Sequence, residues 1–458
     1  MSKEYRIEED SLGQVKVPAR AYYGAQTQRA VGNFPISGIH TYPEFMRAYV
    51  FIKKAAARTN EELGLLDSAK AEAIVKAADE ALIGRFDDQF VVDVYQAGAG
   101  TSFNMNVNEV LANRANEILG GKRGDYSIVH PNDHVNMAQS TNDTYPTAMR
   151  LSALLKLPGL IANLDGTIEL CDGKAREFRE ILKSGRTHLQ DAVPTTLGLE
   201  FGGYRDSLKK DRERLASAGG RLRELNIGGT AAGTGLNAHP EYVATVVRHL
   251  AALTGIDLRR AGNLVEIMQS MADLAEFAGA LRVLAIDLTR IADDLRLLSS
   301  GPTTGLNEIN LPPVQPGSSI MPGKVNPVIC ECLNMICYQV IGCATTVDYA
   351  SCAGQLELNV MMPVISWNIL HCEQILATGL EMFNERCLTG ITANRERCQG
   401  YFEDSMGLAT ALSPLIGYSA AARVVKRALA EGRRIKEIVL EEGLADEESW
   451  ENMFDSLK

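Results

Sequence analysis

Four short polar clusters interrupt a chain that is otherwise patterned for apolar helices, and their residue types are those that bind anions. The first is GAGTSFNMN, with Thr101 and Ser102; the second is QSTNDTYP, with Ser140, Thr141 and Asn142 ahead of Pro146. The third is GRTHLQDAVP, with Arg186, Thr187 and His188; the fourth is GSSIMPGKVNP, residues 317–327, with Ser318, Ser319, Lys324 and Asn326. Taken singly, hydroxyls and amides at such places are ordinary helix caps. Taken together they suit a small dianion, because each cluster stands just before a helix-like stretch, and helix N-termini offer unpaired N–H groups and the positive end of a dipole. Lys324 and Arg186 add full charges, and the hydroxyls can orient carboxylate oxygens. His188 lies inside such a cluster, open to acid–base work or to neutral hydrogen bonding.

Other motifs carry less. Gly317, Gly323 and Lys324 imitate a phosphate loop, but five residues separate the glycines and valine follows the lysine. GGTAAGTGLN, residues 228–237, follows no strand-like run and is surrounded by helical sequence, so it is not read as a dinucleotide fingerprint. His130 and His134 share a turn-like segment, HPNDH. Eight of the nine cysteines fall between Cys330 and Cys398 within helix-like sequence and read as buried thiols. Cys330 and Cys332 have neither a second pair nor a histidine at ligand spacing, so no metal site is expected. A net charge of −11 speaks against nucleic acid or an anionic membrane as partner. The acidic N-terminal stretch lacks the apolar core of a signal peptide and no uninterrupted apolar span stands out, so no membrane is expected and the cytoplasm is the expected compartment.

The elements that position these clusters are mostly helices. Residues 1–43 read as an irregular or hairpin-like opening, and the helical period starts at Pro43. Between 263 and 298 the residues Ile267, Met271, Leu274, Ala278, Leu281, Ala285, Leu288, Ala292 and Leu295 alternate spacings of four and three, a heptad seam about 50 Å long. Phe277, Val283, Leu284, Ile286 and Leu297 widen its apolar surface. Further helices are expected near 147–182, 196–225 and 328–366, giving a long-helix bundle. At 458 residues several domains are expected: an N-terminal one over 1–140, the bundle over 141–396 and a small helical one over 397–458.

GSSIMPGKVNP resembles the signature loop of the fumarase and aspartase superfamily. VPARAYYGAQTQRAVGNF, GAGTSFNMNVNEVLANR, HPNDHVNMAQSTNDTYPTAMR, GRTHLQDAVPTTLGLEF and GGTAAGTGLN are similar to further blocks of it, in the same order over nearly the whole chain. The resemblance implies a mainly α, three-domain fold with a central bundle of long helices. It also implies a homotetramer whose active sites draw on three subunits, and no cofactor. The implied reaction is reversible elimination from a succinyl skeleton to give fumarate. GAGTS, STND, GLNEINLPPVQPGSS, KVNPV and AGQLELNVMMPVI look more like the ammonia-eliminating members, the aspartases; YGAQTQR, RTHLQD and HPNDHVN are shared with fumarases or lean toward them. Reversible deamination of L-aspartate is therefore expected, with hydration of fumarate to L-malate as the alternative.

The same resemblance implies roles. Ser318 would be the base that removes the β-proton; Thr101, Ser140, Thr141 and Ser319 would meet the charge of the aci-carboxylate intermediate. Lys324 and Asn326, with Thr187, would hold the other carboxylate, while Asn142 and His188 would face the amino group. A serine hydroxyl does not ionise unaided, so the loop would have to close over substrate, exclude water and hold an alkoxide through backbone N–H groups. Read from its neighbours alone, Ser318 is a loop hydroxyl capping the turn at 325–330.

Overall fold

The computed structural model describes residues 4–457; Met1, Ser2 and Lys3 of the acidic N-terminal stretch, and Lys458, lie outside the described residues. The irregular or hairpin-like opening expected over 1–43 is a hairpin only over 5–18, where β1 (Tyr5–Asp10) pairs antiparallel with β2 (Gly13–Pro18), from Tyr5 opposite Pro18 to Asp10 opposite Gly13, and helix begins before Pro43. Helices follow: α1 (Ala25–Asn33), α2 (Pro43–Glu62) with its proline in the first turn, α3 (Ser68–Leu82) and α4 (Thr101–Ile118). Proline is tolerated there because the first N–H groups of a helix have no intrahelical partner. The HPNDH segment forms a π-type turn at Pro131–Val135.

Long helices dominate the rest. They are α5 (Thr141–Glu177), α6 (Leu197–Arg221), after a hairpin of β3 (Leu182–Thr187) and β4 (Gln190–Thr196), and, beyond β5 (Glu224–Leu225), α7 (Tyr242–Thr254) and β6 (Arg259–Arg260), the pair α8 (Glu266–Gln269) and α9 (Ala272–Leu298). After β7 (Ile309–Asn310) come α10 (Val328–Cys352) and α11 (Met362–Arg386). Past β8 (Thr392–Ala393) the helices shorten: α12 (Arg395–Asp404), α13 (Leu408–Ile416), α14 (Tyr418–Glu431), α15 (Ile435–Glu441) and α16 (Glu447–Asn452) pack around Phe402, Leu412, Val424 and Trp450.

Two expected helices are broken. The seam near 263–298 is interrupted at Ser270, which is extended (φ −92°, ψ 126°) and whose hydroxyl accepts from the Ala272 N–H, so α9 restarts on a serine cap. Its 27 residues span about 40 Å rather than 50. The expected helix over 328–366 divides at 353–361, where the Asn359 side chain donates to the carbonyls of Ala350 and Ser351 and its oxygen accepts from Met361 N–H. One asparagine thus closes the end of α10 and opens α11.

The chain divides into two compact units: Met1–Leu160, Arg214–Val283 and Gln339–Ile375 form the first, and Ile161–Glu213, Leu284–Tyr338 and Leu376–Lys458 the second. In the first, Phe45 and Tyr49 of α2, Phe103 of α4 and Tyr145 of α5 form an aromatic knot with centroids 5.0 to 5.8 Å apart. All four are buried, each burial being worth about 2 to 3 kcal/mol, and they fix the starts of α4 and α5 against α2. The seam of α9 is buried within this chain; Ile286 and Leu297 stay exposed, as do Met335, Tyr338 and Tyr349 of α10. By length and composition α10 is the one described helix apolar enough to cross a membrane, and 39% of that window is buried within the chain.

Candidate active site

Thr101, Ser140 and Thr141 come together in the first unit, lining a cavity of about 490 Å³ with Asn104, Asn136, Gln139 and Thr230. Two helix starts meet there. Gly100, in the left-handed region at φ 92°, turns the chain into α4, and the Thr101 hydroxyl donates back to Gly98 O at 2.7 Å. Ser140 and Asp143 cap α5 reciprocally: the serine oxygen accepts from Asn142 N–H, and Asp143 Oδ1 accepts from Ser140 N–H. Asp143 Oδ2 also takes the N–H groups of Gly228 and Thr230, at 3.0 and 2.9 Å, and so pins the GGTAAGTGLN loop to the cavity wall. Asn142 reaches the same loop, donating to Ala231 O at 2.9 Å.

The loop, dismissed as a nucleotide motif, is therefore part of the cavity. Thr230 lies in the left-handed region (φ 55°) and its buried hydroxyl has no hydrogen-bond partner. Backbone strain of this kind, together with an unmet hydroxyl, is concentrated at binding sites. Sequence reading also missed Lys53. Fully buried, it donates to Asn104 Oδ1, Asn136 Oδ1 and Gln139 Oε1 at 2.7, 2.9 and 2.9 Å, on amides that line the cavity. Desolvation brings its ammonium down to about 7, with Asp143 opposing the shift; burial pushes the Asp143 carboxyl up to about 7 against its three backbone donors. The signal was a lysine four residues after Tyr49 and three before Ala56, on the buried stripe of α2.

In the second unit the third cluster does not open a helix. Arg186 and Thr187 end β3, His188 and Leu189 form the two-residue turn, and α6 begins only at Leu197. Both turn residues are left-handed (φ 55° and 60°), the geometry of a tight hairpin that ordinarily takes Asn-Gly. Thr187 and His188 are exposed at its tip. Arg186 is paired within its own unit: it donates to Glu308 Oε1 at 2.7 Å, and Glu308 is also bound by the buried Lys183, 2.6 Å away, which pairs in turn with Glu200. This buried ion network is the mount of the hairpin.

The fourth cluster is a loop closed at its neck. Gly317 N–H donates to Lys324 O and the Asn326 side chain donates to Gly317 O, both at 2.8 Å. A β-carbon at Gly317 would meet Lys324 O at 2.7 Å, which is why glycine stands there. Within the tip, Ser318 Oγ accepts the N–H groups of Ile320 and Met321 at 3.2 and 3.0 Å, so it caps its own turn and not the one at 325–330. Ser319 and Lys324 are exposed and Ser318 and Asn326 are half-buried. The cavity residues belong to the first unit and the hairpin and loop to the second. All nine cysteines are free thiols, and no cluster of three or more metal-ligating side chains occurs among the described residues.

Hydroxyls and amides thus line a cavity in the first unit, while the serine-bearing loop and the hairpin lie in the second. The chain belongs to the fumarase/aspartase superfamily of lyases: residues 13–342 match the lyase family and 408–458 match the fumarase C C-terminus. It is 50% identical over 446 residues to the aspartate ammonia-lyase of Pseudomonas canavaninivorans, covering 97% of this chain and 94% of that one. It is 49% identical over 448 residues to the class II fumarate hydratase of Halobacterium salinarum, covering 98% and 95%. Among solved structures, the fumarate lyase:delta crystallin of Brucella melitensis bound to cobalt superposes with a TM-score of 0.96 at 49% identity, over 99% of both chains. The expected fold class, mainly α with long central helices, is thus met.

Proposed function

We propose that this chain catalyses the reversible deamination of L-aspartate to fumarate and ammonia. The observation that carries the reading is the likeness to aspartate ammonia-lyases at about half identity over nearly the whole length. In this reading Ser318 removes the β-proton. Its oxygen already receives two backbone N–H groups, which is what a serine alkoxide needs. Thr101, Ser140, Thr141 and Ser319 stabilise the aci-carboxylate; Lys324, Asn326 and Thr187 hold the second carboxylate; Asn142 and His188 face the amino group. No cofactor enters. The clusters, divided between the two units, meet in a homotetramer whose sites draw on three subunits, with residues 1–140 and 397–458 flanking the 141–396 bundle. The exposed apolar side chains of α10, among them Met335, Tyr338 and Tyr349, support covering by other copies rather than by lipid.

Fumarate hydration is the second reading, favoured by the Halobacterium salinarum relative at nearly equal identity. Absorbance in the fumarate band, with L-aspartate in one cuvette and L-malate in another, decides between them. Fumarate from aspartate alone is the expected result; fumarate from malate alone overturns the deamination reading.

A further inference from the structure

Three acceptors surround Lys53 Nζ, the number that the three N–H groups of an ammonium fill. A neutral amine has two N–H groups, whereas Asn104 Oδ1, Asn136 Oδ1 and Gln139 Oε1 together require three. The amides cannot simply be turned over. Gln139 Nε2 donates to Val135 O and Met137 O, Asn136 Nδ2 donates to Gln139 O, and Asn136 Oδ1 also receives Asn104 and Asn108. Asn104 Nδ2 donates to Thr141 Oγ1 at 3.1 Å. Because the threonine oxygen accepts from the amide, its own proton is left to be given away, and Thr141 lines the cavity.

We propose that Lys53 is a positioning residue of the cavity: through Asn104 it aims and polarises the Thr141 hydroxyl toward a substrate carboxylate, and dicarboxylate binding is coupled to its protonation. This rests on the deamination reading and adds the charge that meets the bound anion. The chain of donors runs from ammonium to amide to hydroxyl, each link polarising the next in a site screened from water. If Lys53 loses its proton, one of the three carbonyls loses a donor; where that carbonyl is Asn104 Oδ1, the amide that faces Thr141 is held only through its Nδ2 bond to Asn136 Oδ1 and is polarised less. The charged group facing Lys53 is Asp143 of α5. Tyr49 of its own helix lays its ring 5.8 Å from Nζ, Tyr145 of α5 is buried beside that ring, and Tyr242 of α7 feels Asp143. On the π-type turn, His134 is engaged with Lys70 and with the His130 N–H instead.

The sign of the coupling follows from the free protein, in which Lys53 titrates near 7. A dianion bound above it favours the ammonium and raises its bound value, so binding is at full strength below about pH 7 and weakens as pH rises through the free and then the bound value. The test is calorimetric titration of the full-length protein with succinate, a non-reacting dicarboxylate, at about pH 8 in buffers of different ionisation heat. Uptake of a fraction of a proton per site is expected, as is its loss in Lys53→Met, with KM for L-aspartate rising roughly 10- to 100-fold and kcat changing less. The wild-type measurement stands even where the variant fails to fold. Because burial raises the Asp143 carboxyl to about 7 as well, the comparison is also made in Asp143→Asn: absence of proton uptake with no variation of binding between about pH 6 and pH 9 overturns the proposal, as does uptake that is missing in folded Asp143→Asn or that persists when Lys53→Met is added to it. Fumarate release from L-aspartate by the same preparation is read alongside. Its absence sinks the deamination reading and this inference together, whereas intact turnover without proton uptake sinks the inference alone.

Discussion

Replacing Gly100 with alanine asks whether the start of α4 is held where the cavity needs it. Gly100 sits at φ 92°, ψ 8°, a conformation that costs a residue with a β-carbon about 1 to 2 kcal/mol. The added carbon would also lie 1.9 and 2.1 Å from Cδ2 and Cε2 of Tyr145. That ring cannot step aside: it is 3% exposed and packed on Phe45 and Tyr49, so relief has to come from the backbone before Thr101. Overpacking of this kind adds about 1 to 3 kcal/mol, for a total of roughly 2 to 5. Part of the strain moves Thr101 and Asn104, so the KM for L-aspartate rises together with the loss of stability. Urea unfolding followed by circular dichroism reads the first effect, and fumarate formation the second. A Gly100→Ala protein that unfolds at the wild-type urea concentration, with KM within about twofold of wild type, would refute the argument.

Ser318→Ala is expected to abolish turnover while leaving the oligomer intact by light scattering, and retained activity would remove Ser318 from the role of base. Lys324→Ala should act mainly on binding, with KM rising roughly 10- to 100-fold; an unaltered KM would count against its carboxylate contact. Glu373 is fully buried, neither of its oxygens has a hydrogen-bond partner, and desolvation holds its carboxyl well above the usual range. Because the folded value lies above the unfolded one, any stability Glu373 contributes is present below about pH 4.3 and is lost as pH rises through the folded value. Glu373→Met should therefore stabilise by about 1 to 3 kcal/mol, more at pH 8 than at pH 5, and a gain that shrinks with rising pH would contradict this.

The residues that were legible in the sequence are those whose local pattern and tertiary setting agree. Pro43 announced α2, and the short apolar pieces and turns over 1–43 suggested an irregular or hairpin-like opening, of which 5–18 is the hairpin. The seam from Ile267 to Leu295 was right about burial and wrong about continuity, because periodicity registers which side chains face inward and not whether Ser270 keeps helical dihedrals. The 182–196 hairpin was missed for a different reason. Its turn is His188–Leu189, and without glycine or asparagine the usual turn signal is absent; the strain is carried by the tertiary network of Lys183, Glu200, Glu308 and Arg186. Lys53 and Asp143 were invisible because each makes its partners far along the chain, at 104, 136, 139, 228 and 230.

For a chain of net charge −11, the proposed binding of a dianion needs positive potential placed where solvent does not cancel it. Surface charges more than about 8 Å from the ligand are largely screened at physiological salt, so the overall negative field matters less than the groups at the cavity itself. Sequence reading assigned that task to four helix starts and two surface cations. Arg186 is taken up by Glu308, and the third helix start is a hairpin. In the first unit the cavity has the N-termini of α4 and α5, each contributing about half a charge, and, behind its lining amides, the Lys53 ammonium. Burial makes that ammonium a sensitive source of charge, since its proton is held by three amides and opposed by desolvation. Lys324 lies exposed on its own loop in the second unit. An acidic protein can in this way keep its surface anionic and still offer a carboxylate a positive floor.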